Sequence, residues 1–172
     1  MGVVTAYSTA LTNSKAIPRK QNPAALERGK IRRSQGFASI ANGDSVGSIY
    51  AICRIRSCDY LDRTRIVAPD IGTTTAANVG LYAVNADGTV GAVVSASFIA
   101  AAVVLNAGAI DTDITFQSGA NGGLHTNAEK RVWEILGLAT DPGVDYFVAL
   151  TLTGAADAAG TVLLRVYVCN ND

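Results

Sequence analysis

The residue types that do chemistry are few and scattered. A single histidine, His125, lies in the glycine-rich stretch GANGGLHTN, and a catalytic triad would need a nucleophile such as Ser118 together with one of the aspartates. The chain contains no G-x-S-x-G elbow to present that serine. Nor does the stretch carry the lysine and hydroxyl that a phosphate-cradling loop requires. Cys53, Cys58 and Cys169 with one histidine do not make a four-ligand zinc set, so they read as reduced structural thiols. Two acidic pairs, Asp111 with Asp113 and Asp59 with Asp62, have the spacing for a shared cation or an acid and base. Neither lies in an EF-hand-like run, and calcium wants six to eight oxygens, so both read as solvated faces. No catalytic residue, metal site or cofactor is expected.

The basic residues are organised. Net charge is zero, yet residues 1–66 hold 11 Lys/Arg against 4 Asp/Glu, while residues 67–172 hold 3 against 10. In the first 36 residues Lys15, Arg19, Lys20, Arg28, Lys30, Arg32 and Arg33 face only Glu27, and Pro18 and Pro23 interrupt the run. No sustained period of two or 3.6 runs through it, so residues 1–36 read as an extended basic arm. Ordering each residue of a polar arm costs about 1–2 kcal/mol, which such a segment recovers only against a partner. Tyr7 is the one aromatic before Phe37, so base stacking is not provided for and nucleic acid is disfavoured. An acidic protein surface, such as the body of a neighbouring copy, matches at least as well.

Those charges need a scaffold. Hydrophobic residues are 49% and charged residues 16% of the 172, a composition that excludes a disordered polymer and suits one domain. The longest apolar run, FIAAAVVL, is far short of the roughly twenty residues that span a bilayer. Lys15, Arg19 and Lys20 follow the leader's mild apolar stretch, the reverse of secretory order, so no export signal is expected.

Residues 37–172 read as a sandwich domain built from short strands. Ser48–Arg56 alternates, with Ile49, Ala51, Cys53 and Ile55 on one face and Tyr50, Ile52, Arg54 and Arg56 on the other. Arg54 and Arg56 must then meet water or a partner. Tyr60–Val67 is a second strand, and Val79–Val84 with Thr89–Ser95 forms a hairpin around Asn85-Ala86-Asp87-Gly88. Ala96–Leu105 reads as a short helix from its alanines. Ile110–Phe116 alternates, with Asp111, Asp113 and Thr115 outward. A capping-box spacing at Thr126–Glu129 predicts a second short helix over Val132, Ile135 and Leu136 that Gly137 ends. Val144–Thr153 and Thr161–Val168 read as an antiparallel pair joined by GAADAAG. The expected fold is all-β: an antiparallel, jelly-roll-like β-sandwich with two short helices and an extended N-terminal arm.

The runs SVGSIYAICRI, NVGLYAVNADGTV, EKRVWEILGL, VDYFVALTLT and GTVLLRVYV, behind a basic arm, resemble the capsid decoration or cement proteins of tailed bacteriophages. The resemblance covers about Ile40 to Val168. It implies a non-enzymatic jelly-roll-like domain on the outside of the capsid, made in the host cytoplasm and located in the virion. Its implied partners are the major capsid protein and further copies of the chain, as a dimer or trimer. The alternatives are a tail or head-fibre component, or a carbohydrate-binding sandwich using Trp133, Tyr82, Tyr146 or Tyr167.

Overall fold

A computed structural model of the chain describes residues 6–22, 26–27, 29–115 and 125–170. Arg28, Pro23, Phe116 and Ser118 of the sequence expectations lie outside the described residues.

The described part of the leader contains one short α-helix, α1 (Thr9–Lys15), with no buried residue. Ser8 caps it by accepting from the Leu11 N–H at 3.5 Å, and the Lys15 ammonium sits 3.3 Å over the Tyr7 ring. The strands follow: β1 (Lys30–Ile40), β2 (Ile49–Arg56), β3 (Tyr60–Ala68), β4 (Ala76–Val84), β5 (Val90–Val104), β6 (Ile110–Asp113), β7 (Asp145–Leu152) and β8 (Gly160–Asn170). A 3-10 turn (His125–Asn127) and the helix α2 (Val132–Ile135) lie between β6 and β7. No helix among the described residues is long and apolar enough to cross a membrane.

The strands form two four-stranded antiparallel sheets, ordered β1-β8-β3-β6 and β2-β7-β4-β5. Successive strands change sheet at every connection except the β4–β5 hairpin, so the molecule is a jelly-roll sandwich. The alternation of β8 shows how the sequence builds the interface: Val162, Leu164, Val166 and Val168 point inward, and the residues between them are half-exposed or exposed. They meet Leu81, Val148 and Leu150 of the other sheet, with Phe98 and Ile99 among the fully buried side chains. Each such side chain contributes about 1.5–3 kcal/mol through burial.

The structure corrects several expectations. Residues 30–36 are strand, not arm, because Lys30–Gly36 pairs residue by residue with Asn170–Leu164 of β8. Residues 9–15 of the leader are helical instead of extended. Residues 96–104 continue β5 and are not helical. Pairing with β4 overrides the helix propensity of the alanines, helped by the β-branched Ile99, Val103 and Val104. The β4–β5 register shifts repeatedly, and Gly80 makes this possible: a Cβ there would stand 2.4 Å from the Ser95 and Ala96 carbonyl oxygens.

β7 and β8 are not a hairpin. Each is an interior strand of a different sheet, and residues 153–159 cross between the sheets, held by Gly43 N–H donating to the Ala156 carbonyl and Ala156 N–H to that of Asp44. A β-bulge between Ala51 and Cys53 breaks the even alternation expected of β2, so Tyr50 and Ile52 pack toward the core together with Cys53 and Ile55. Thr115 is buried, its hydroxyl accepting from the Thr64 N–H at 2.6 Å. The helix cap falls at Arg131, whose N–H donates to the Glu134 carboxylate at 2.7 Å, and not at Thr126, which lies in the 3-10 turn. Gly137 ends α2 at φ 73° as expected.

Candidate interaction surface

β1 and β2 are edge strands of opposite sheets and lie side by side along one flank of the sandwich. They touch at Gly36, whose missing side chain lets β1 approach the Ile52 carbonyl; a Cβ would stand 2.5 Å from that oxygen. Away from this contact, toward the start of β1 and the end of β2, the edges part. The cleft between them measures about 250 Å³. Arg32 and Arg33 line it from β1, Arg54 and Arg56 from β2, and all four are exposed. Ile55, Val168 and Ser34 form its inner surface, and Asp59 and Asp145 complete the lining.

Local contacts hold this constellation in place. The Arg54 guanidinium lies 4.5 Å over the Phe147 ring, its opposite residue on β7, and its Nη2 donates to the Gly88 carbonyl at 3.5 Å. Such stacking restrains a side chain that would otherwise sample many rotamers. Asp59 is buried, accepting from the Arg56 N–H at 2.8 Å and from Asn170 Nδ2 at 2.9 Å. It is a structural acid rather than the solvated one expected. Arg56 faces Asp145 across the β2–β7 register.

The sequence-predicted interaction residues thus divide. Arg32, Arg33, Arg54 and Arg56 come together in the cleft, although 22 positions of chain separate Arg32 from Arg54. Lys30 is exposed at the start of β1. Lys15, Arg19 and Lys20 are exposed in the leader and do not line the cleft, and Arg28 lies outside the described residues.

The remaining candidates have structural partners. Asp111 accepts from both Nε and Nη2 of Arg65, at 2.5 and 2.8 Å, and Asp113 lies 3.5 Å from Arg63 Nε. Cys53 is buried, and desolvation pushes its thiol up to about 12; Cys58 and Cys169 are half-buried, also raised first by desolvation. None of the three forms a disulfide. His125 is exposed on the 3-10 turn. No group of three or more metal-ligating side chains occurs among the described residues. Tyr82 and Tyr146 are buried and cannot form a glycan platform.

Sequence reasoning missed a second surface. On the outer face of the first sheet, Phe37, Leu163 and Val67 stand in one row across β1, β8 and β3, beside Pro69, Ala109 and Ile110. Phe37 is 69% exposed. The alternation of Ile31, Arg33, Gln35 and Phe37 carries the signal, hidden while the segment is read as arm.

No protein-family model and no curated protein sequence matches the chain. Solved structures do. A chain of the capsid of Ralstonia phage GP4 is 13% identical with a TM-score of 0.56, over 89% of this chain and 92% of that one. A chain of the cyanophage Pam1 capsid asymmetric unit is 15% identical with a TM-score of 0.50, over 82% and 85%. The chain shares its fold with these capsid chains. At such identities the likeness is one of architecture, and it spans nearly the whole of each partner.

Proposed function

We propose that the chain is a virion structural protein of the decoration or cement type. It binds the outside of a phage head and stabilises contacts between major capsid protein subunits, through an oligomeric β-domain, a dimer or trimer, and its N-terminal arm. One observation carries this reading: the basic leader runs directly into edge strand β1, whose arginines converge with those of β2 in a single cleft. The shared architecture with chains of phage capsids supports it.

The mechanism is linkage. A protein that binds the assembled shell and not its separated subunits shifts the equilibrium toward the shell. Leader and cleft engage as tethered contacts, so modest individual affinities multiply when both reach their targets. No bond-making group is required.

Deleting residues 1–29 tests the reading, because it removes the leader and leaves β1 paired with β8. The shortened chain is expected to fold with an unchanged melting temperature and to lose occupancy on capsids of its own phage, as counted by cryo-EM. Undiminished occupancy refutes the role of the arm, and absence of the full-length chain from intact particles refutes the function.

A further inference from the structure

We infer that the arginine cleft receives an extended, carboxylate-bearing peptide segment from a neighbouring protein chain, laid along the open edge of β1. The inference names the partner chemistry of the site above and rests on the shell-fastening reading only for where that neighbour sits.

Charge comes first. Four arginines and two aspartates are among the residues that line the cleft, a formal surplus of two positive charges. Asp59 already accepts two hydrogen bonds within the protein, and Asp145 stands opposite Arg56 in the β2–β7 register. Guanidinium forks match carboxylates in a planar, two-bond geometry. Arg33 and Arg54 belong to the two strands that wall the cleft and are exposed, and the Arg54 guanidinium is held at its rim by Phe147 and the Gly88 carbonyl.

Backbone comes second. β1 ends the order of its sheet, so one side of the strand has no neighbour among the described strands. Its first residues, Lys30 to Arg33, are all exposed. A free strand edge recognises extended chain through main-chain hydrogen bonds, while alternate side chains select the sequence. Ile55 and Val168 give the inner surface an apolar character that suits aliphatic side chains alternating with acidic ones.

The same features disfavour nucleic acid. Phe147, the aromatic ring beside Arg54, already has that guanidinium on its face. The cleft, at about 250 Å³, is side-chain sized.

The test uses the full chain and a short peptide of alternating Glu and Val, followed by NMR titration at low salt. Amide shifts are expected at Arg32–Ser34 and Arg54–Arg56, with slower hydrogen exchange along β1. Arg33→Gln combined with Arg54→Gln should weaken binding at least about tenfold, the loss of a charge-assisted hydrogen bond. Arg63→Gln combined with Arg65→Gln removes equal charge from the outer face and should leave binding unchanged. Unaltered affinity in the Arg33/Arg54 variant, or oligothymidylate binding more tightly than the peptide, overturns the inference. Peptide binding by a chain that never decorates particles would sink the functional reading alone. Decoration without cleft binding would sink this one alone.

Discussion

Gly36 and the Ile52 carbonyl are the point at which the two sheets meet along their open flank; a Cβ on Gly36 would stand 2.5 Å from that oxygen and 3.0 Å from Ile52 Cγ2. The obstacle is backbone, which cannot swing aside as a flexible side chain would. Gly36→Ala should therefore cost about 1–3 kcal/mol, the usual cost of overpacking, in urea denaturation. An unchanged midpoint would mean that the edges are not in contact in solution.

Asp59 ties the ends of β2 and β8 and the start of α2 together through Arg56 N–H, Asn170 Nδ2 and its own carbonyl, which accepts from Val132 N–H. Asp59→Ala keeps the carbonyl and removes the carboxylate that accepts from the part-buried Arg56 N–H and from Asn170 Nδ2, which also lies 3.8 Å from Cys58 Sγ. Hydrogen bonds to a charged group contribute about 1.5–3 kcal/mol each. A sharply lowered melting temperature is expected, and a neutral result would show that water replaces the carboxylate.

Acid should destabilise the fold through a defined set of loops. Hydrogen bonds from Ser57 and from the Gly143 N–H hold Asp141 below its ordinary value of 3.8, and the Thr73 hydroxyl and N–H do the same for Asp157. Tyr50 lowers Asp44 likewise, and Thr89 lowers Asp87. A folded-state pKa below the unfolded one gives stability that is complete above the unfolded value and is lost as pH falls through the folded value. Melting temperature should be flat from neutrality to about pH 5 and fall below about pH 4. Asp141→Asn and Asp157→Asn should each shallow that fall, and an acid limb as steep as that of the parent chain contradicts the assignment.

Burial of Cys53 pushes its thiol up to about 12, so almost none is thiolate at pH 8. Under native conditions a disulfide reagent should leave Cys53 unmodified, with all three thiols reacting in denaturant. Rapid native labelling of Cys53, read by mass spectrometry, would show that the edge near Ser34 opens.

Much of the strand content was legible because it rests on local pattern. The alternation of TVLLRVYV and the NADG turn between β4 and β5 need no knowledge of distant residues. The errors came where a distant partner decides. Alanines 100–102 favour helix in isolation, and β4, with its bare Gly80, draws them into a sheet. Lys30–Gly36 looks like arm until β8, more than a hundred residues later, pairs with it.

The amino-acid order alone determined an all-β sandwich, a basic leader, and a set of arginines that cannot be buried, since composition and period act through nearest neighbours and solvent. Only the tertiary structure decided which strands share a sheet, and hence that Arg32 and Arg33 meet Arg54 and Arg56. Strand pairing is settled by the packing of many weak contacts at long sequence separation. A cleft between two strand edges exists only once that packing is complete.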